Sequence, residues 1–254
     1  MEPLATLRQA GFDVMVRNHA EAILRVDFPD ETAELVAALT DMSIPVAELI
    51  ASGGGEARST QRLRRILSDA GWRKHNFRIE TTVDRVPQGD GTSHEIDHIR
   101  HAERGTLALE IEWNNKDPFF DRDLENFQRL HAQSIISAGI VVTRGAALQV
   151  SLQETVERFL RDAGITDSEP LIAMGMKERT ARQRDSVARA MQAGHDFAAA
   201  FARYFVGDKF GTSTTHWAKL ADRVSRGVGN PCPLVLIGLP AAAVRPHSAA
   251  TPEL

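Results

Sequence analysis

The acidic residues best placed for chemistry are Asp97, in the segment HEIDHIRH, and Glu110 and Glu112, in TLALEIEW (106–113). Side chains alternate along a strand, so Glu110 and Glu112 project to one side while Leu107, Leu109 and Ile111 project to the other. Carboxylates crowded beside an apolar layer repel one another unless a proton or a hard cation settles the conflict. Mg2+ is the natural occupant, because it takes oxygen ligands from one or two carboxylates and leaves positions for water and a substrate phosphate. Such a centre suits phosphodiester hydrolysis: the ion polarises a phosphoryl oxygen and positions a water, and a neighbouring base deprotonates that water. On this reading Asp97 and Glu110 hold the metal with the backbone carbonyl of Ile111, and Glu112 is the base or binds a second ion. A Glu-x-Glu pair is equally the pattern of a solvent-facing edge strand, so the acids alone do not decide the matter.

The elements around them must bring Asp97 to the pair. FRIETTVDRV (77–86) alternates and is rich in β-branched residues, PQGDGTS (87–93) is dense in turn formers, and AERG separates HEIDHIRH from TLALEIEW. This predicts a meander of three antiparallel strands, with a turn of about four residues between the last two. Asp117-Pro118 opens a helix whose buried face carries Phe120, Leu124, Phe127 and Leu130; Asp121 and Asp123 read as first-turn acids that suit the helix dipole. AGIVVTR (138–144) and PLVLIGL (233–239) are continuous apolar runs of strand length, expected at the sheet centre. Helices are expected at 29–52 with a break at 43–45, at 60–70, at 147–163, at 185–205, and from GTSTTHW (211–217) to about Arg226. The fold class is α/β, a mixed sheet flanked by helices. The chain reads as a single domain, with an N-terminal helical part (1–57), a catalytic core (75–145) and a recognition and C-terminal part (178–240).

The 254 residues carry a net charge of −4, which argues against indiscriminate coating of nucleic acid. The basic residues are nonetheless clustered. Arg58, Arg62, Arg64, Arg65, Arg73, Lys74 and Arg78 face a single acid, Asp69, and Lys177, Arg179, Arg182, Arg184 and Arg189 form a second group. Both are read as clamps on a phosphate backbone, flanking an acidic centre. Thr212, Ser213, Thr214 and Thr215 stand where a helix begins, so they could bind a phosphate or reach base edges, and His216 could donate to a purine; Ser and Thr are also the favoured helix caps. Arg144, directly after the buried strand, could reach phosphate or base. His94, His98 and His101 flank Asp97, but no second ligand cluster of suitable spacing supports zinc. Cys232 is the lone cysteine and reads as a small buried hydrophobe. No apolar stretch is long enough to span a bilayer and no leader is evident, so the expected location is the cytoplasm.

EIEWNNKDPFFDRDLENFQRLH (110–131) resembles the catalytic strand and following helix of BglII-type restriction endonucleases, relatives of BamHI. IVVTR (140–144), GTSTTHW and PCPLVLIG (231–238) resemble that family as well, so the likeness spans about residues 75–240. It implies a PD-(D/E)XK core, a Mg2+-dependent homodimer around double-stranded DNA, cleavage of both strands at a short specific site, and a DNA methyltransferase as functional partner. It also suits Asn114, Asn115 and Lys116 to gripping the scissile phosphate. Most of that superfamily has lysine at the position of Glu112, which leaves the general base open between Glu112 and Lys116. If the strand ran on, positions 110, 112, 114 and 116 would share a face. Two rival functions remain: a non-specific or guide-associated defence or repair nuclease of the same fold, and a DNA-binding protein with a decayed centre.

Overall fold

The computed structural model describes residues 4–51, 57–80, 82–87 and 91–246. Six strands form the main sheet: β1 (Asp13–Arg17), β2 (Arg73–Ile79), β3 (Thr92–Ala102), β4 (Gly105–Glu112), β5 (Ala138–Arg144) and β6 (Leu234–Leu239). Their order is β1-β6-β5-β4-β3-β2. β4, β5 and β6 run parallel, while β2, β3 and β4 are joined antiparallel, as the meander required. The fold class is therefore the α/β mixed sheet expected, flanked by helices α1 (Ala20–Asp27), α2 (Pro29–Thr40), α3 (Arg58–Asp69), α4 (Phe119–Ala132), α5 (Ala146–Asp162), α6 (Ala181–Gln192), α7 (Phe197–Lys209) and α8 (Trp217–Ser225).

Every residue of β5 and β6 is buried, which is why these segments read as unbroken apolar runs. One sheet face packs Ala108, Val141 and Leu236 against Phe120, Leu124 and Phe127 of α4. A Cβ on Gly139 would collide with the Phe127 ring, so glycine lets α4 lie close to the sheet. The opposite face packs Leu107, Leu109, Ile111, Ile140 and Val142 under α5 and α7. The alternation in β4 thus places Glu110 and Glu112 on the α4 side.

Several local expectations need correction. Of the first meander strand expected at 77–86 only 77–79 joins the sheet, as the end of a strand that begins at Arg73; Thr82–Val83 and Val86–Pro87 form a separate hairpin around Asp84 and Arg85. Both of those turn residues have positive φ, 49° and 66°, as a tight primed turn demands. The helix expected at 185–205 is two helices. Gly194 at φ 96° ends the first, and Asp196 caps the second by accepting the Ala199 amide at 2.8 Å. β1, an antiparallel edge strand on β6, was not foreseen; its five residues are only partly buried and carry no clean alternation. Among the described residues no helix is long and apolar enough to cross a membrane.

Candidate active site

β3 and β4 pair from His98 opposite Leu109 onward, and Asp97 and Glu110 are the next residues beyond that pairing, close enough for the Asp97 charge to act on Glu110. The Asp97 amide points at Glu110 Oε1, 3.4 Å away. The pairing of β3 with β2 slips here: Arg73 lies opposite Ile99 but His75 opposite Ile96, so β3 carries one extra residue between them. Such a bulge re-aims the side chains at it. It also separates His94 from His98, which strict strand alternation would put on one face: His94 contacts Asn126 Oδ1 on α4 at 2.8 Å, while His98 turns to the other side of the sheet beside Leu109. Burial pulls the His98 imidazole down to about 4, so it is a neutral core residue. Glu80, an acid ahead of Asp97 in sequence that could have joined the centre, lies beyond the end of β2 in an exposed ion pair with Arg78.

Glu110 and Glu112 are almost fully buried, at 2% and 3% exposure. The face has a further acid that the sequence reading set aside: Asp123, wholly buried on α4. Its place was legible, since 123 falls three residues after Phe120 and four before Phe127, on the helix's apolar stripe. Treating it as a first-turn acid was the error; Asp121 takes that place and pairs with Arg223 at 2.9 Å. Burial, then the charges of Asp123, Asp97 and Glu112, pushes the Glu110 carboxyl well above the usual carboxylate range. Burial and Asp123 push Glu112 up to about 9. Burial raises Asp123 too, although Arg122 opposes the shift.

The donors around these acids are few. Arg122 reaches Asp123 Oδ1 at 2.7 Å and stands 3.7 Å from Glu112 Oε1, with its guanidinium 4.4 Å above the Phe119 ring. Asn115 Nδ2 donates to Glu112 Oε2 at 2.7 Å. Arg64 of α3 stands 3.7 Å from Asp97 Oδ2. Among the described residues no donor reaches the buried Asp123 Oδ2, and the Asp123 carboxyl lies against that of Glu112. The face therefore holds more negative charge than its surroundings balance, which is the condition a hard cation relieves. Among the described residues, no three His, Cys, Asp or Glu side chains already form a metal cage. A site of one or two carboxylates completed by water and substrate needs no such cage.

The strand ends at Glu112, so the continuation that would have put Lys116 on the acid face does not occur. Lys116 instead bridges to Thr214, in a seam where Asn115 and Thr215 exchange backbone contacts and the Asp117 amide donates to the Ser213 carbonyl at 3.0 Å. Arg144 and Thr215, expected at the DNA, have no exposed surface at all. Arg144 donates to Asn114 Oδ1 and to Thr214 Oγ1, each at 2.7 Å, inside the fold. Thr212 and Ser213 are exposed, as are Asn115 and Lys116, whereas His216 is 9% exposed. Helix α8 begins only at Trp217, with His216 at its N-cap and no side-chain cap bond, so the threonines form a turn before the helix rather than its first amides.

Parts of both basic clusters are committed internally. Arg62 is held by Glu48 at 2.6 Å, and Arg179 is buried against Asp208 at 2.8 Å; Arg184 pairs with Glu178. Arg62 and Arg179 are thus not free phosphate clamps, while Arg184, whose pair with Glu178 lies at the surface, is exposed like Arg58, Arg65, Arg182 and Arg189. Cys232 is fully buried, and burial pushes its thiol up to about 12, which makes it inert.

A comparison with curated proteins finds no match to the chain. The family model described as restriction endonuclease BglII/BglIII matches residues 12–239, nearly the full length and including every strand of the sheet and all four acids. The acid face at the end of β4, carried on this mixed sheet, accordingly stands in a chain that belongs to the BglII/BglIII family of restriction endonucleases, hydrolases that cut DNA internally.

Proposed function

We propose that the chain is a Mg2+-dependent PD-(D/E)XK endonuclease that hydrolyses phosphodiester bonds of double-stranded DNA at a short specific site. The observation that carries this reading is the approach of Asp97 to Glu110, beside Glu112 and Asp123, which are also buried with little positive charge to balance them. Asp97 and Glu110 would hold the ion, with the carbonyl of Ile111. Bound there, Mg2+ supplies Lewis-acid polarisation of a phosphoryl oxygen and acidifies water.

The chain's own groups do the rest. Glu112, aimed by Asn115, is the base that takes the proton of the attacking water; its raised pKa falls once a cation stands beside it. Lys116, off the acid face but exposed at the strand exit, is placed to meet a phosphate together with Asn114 and Asn115. Thr212 and Ser213 present hydroxyls from the turn before α8 to the duplex, and His216 lies behind them. Arg58 and Arg65 on α3 extend the cationic surface along the backbone.

A homodimer would place two such centres on the two strands of a symmetric site. In the cytoplasm of its host, the enzyme would work beside a methyltransferase that protects the same site. Digestion of a long phage DNA with Mg2+ tests the proposal: discrete fragments with uniform ends are expected. A smear would favour a non-specific nuclease of this fold, and intact DNA with retained binding would favour the decayed centre.

A further inference from the structure

Arg144 poses a physical problem that DNA contact does not solve. It is fully buried at the end of β5, and among the described residues no acid pairs with it and its Nε has no hydrogen-bond partner. Burial pulls its guanidinium down to about 9. Neutral groups supply what stabilisation it has: Asn114 Oδ1, Thr214 Oγ1, the Phe210 ring at 5.0 Å and the Trp113 ring at 5.8 Å. A buried cation without a counter-charge is costly, so the arrangement needs a reason beyond stability.

The partners suggest one. Asn114 lies directly after the catalytic strand, and Thr214 lies in the exposed turn that carries Thr212 and Ser213. These two segments are a hundred residues apart in sequence and meet in one seam. The Asn115 amide donates to Thr215 Oγ1 at 3.1 Å, the Thr215 amide donates to the Asn115 carbonyl at 2.9 Å, and Asn115 Nδ2 donates to Glu112. The connection therefore runs from the turn through Thr215 and Asn115 to Glu112, and Arg144 holds both of its sides from beneath.

We infer that Arg144 is a positioning residue that couples the DNA-facing turn 212–215 to the orientation of Glu112, acting through Asn114, Thr214 and Asn115 rather than by touching DNA. The inference rests on the nuclease reading above. Its physical content is that engagement of Thr212 and Ser213 by the duplex and the aim of the base are one mechanical unit, so that cleavage depends on correct docking more steeply than binding does. Loss of such positioning lowers the rate of the chemical step by about 100-fold without a matching loss of affinity.

Arg144→Met keeps an unbranched apolar stem between the two rings and removes both hydrogen bonds. Two measurements on the full-length protein decide the matter. The first needs no cleavage: hydrogen exchange of the Asn115 and Thr215 amides in the free protein should quicken at least 10-fold in Arg144→Met while amides of β5 and β6 keep their protection. Unchanged exchange at Asn115 and Thr215 overturns the coupling even if the wild type proves inactive. Global loss of protection overturns it as well, because it marks Arg144 as a fold-wide support.

The second is a double-mutant cycle on kcat with Asn115→Ala, with affinity read separately in Ca2+. If Arg144 acts through Asn115, the two losses in kcat do not add, Kd changes by less than about 3-fold, and Arg144→Lys recovers part of the rate. Additive losses, or a fall in affinity equal to the fall in rate, would show instead that Arg144 serves DNA binding or general stability. A wild type that does not cleave sinks the nuclease reading and leaves the exchange result standing.

Discussion

Two buried charged clusters sit at the C-terminal ends of neighbouring parallel strands, and the chain treats them in opposite ways. At the end of β4, Glu110, Glu112 and Asp123 are buried with Asp97 beside them, and their neighbours leave negative charge unbalanced. At the end of β5, Arg144 is buried with no acid against it among the described residues, and neutral dipoles and aromatic faces stand beside it instead. On the proposed reading the first cluster is completed by a cation from outside. The second has no opening to solvent, and the inferred role for it is that of a joint. Burial of charge alone therefore does not mark a binding site, since among the described residues each cluster keeps an unpartnered buried atom, Asp123 Oδ2 and Arg144 Nε; what distinguishes the two is access, because Asp97 is partly exposed beside the acids whereas Arg144 has no exposed surface.

The sharpest way to break this comparison is at Glu110. Glu110→Ala should lower cleavage by at least about 1,000-fold while binding of duplex DNA persists in Ca2+, as expected for a residue that holds the reacting centre together. If cleavage survives within 10-fold, the acid face is not the catalytic one. Asp123 comes next. Asp123→Asn keeps the volume and removes one charge, and it should cut the rate about 10- to 100-fold by altering the aim of Glu112. An unchanged rate would make Asp123 a passive neighbour.

The charge imbalance also has a signature in stability. The Glu112 carboxyl sits at about 9 in the fold against 4.5 when free, so between those values the folded chain holds a proton that the unfolded chain has released. Metal-free protein should therefore lose stability as pH rises from about 4.5 and level off above about 9. Glu112→Gln, which mimics the protonated form, should melt higher than the wild type at pH 8 without metal, by about 2–4 °C for each kcal/mol relieved in a chain of this size. The same variant should cleave poorly. A lower melting temperature would contradict the picture of an over-charged face. At Arg144, Arg144→Met should change stability by only about 1–2 kcal/mol, because loss of two hydrogen bonds is offset by removal of a buried charge. Smallest of all, Thr212→Ala and Ser213→Ala should leave the melting temperature within about 1 °C, as exposed substitutions do, and weaken binding to specific DNA several-fold.

How much of this the sequence disclosed depends on the range of the interaction. The shared face of Glu110 and Glu112 follows from strand alternation, and the antiparallel meander follows from turn chemistry. Asp97 meets them because a short turn leaves little choice of register. The bulge that splits His94 from His98 leaves no composition signal, since it arises from how β2 and β3 pair. Asp123 was readable from its spacing to Phe120 and Phe127, but its charge drew it to the wrong side of the helix. Arg144 was out of reach. Its burial depends on a turn seventy residues later supplying Thr214, and nothing local to IVVTR encodes that meeting. Likewise, the seam between Asn115 and Thr215 reassigns Thr214 and Thr215 from helix-start donors to structural contacts.

The most direct test of the central claim is a calorimetric titration of the metal-free wild type and of Glu110→Gln with Ca2+ at pH 8, followed by melting curves at saturating Ca2+. The claim requires that the wild type bind the ion, release protons as it does so, and melt at a higher temperature with Ca2+, while Glu110→Gln stays folded and loses most of that response. Equal responses from both proteins, or none from the wild type even with duplex DNA present, would mean that these acids do not converge on a cation.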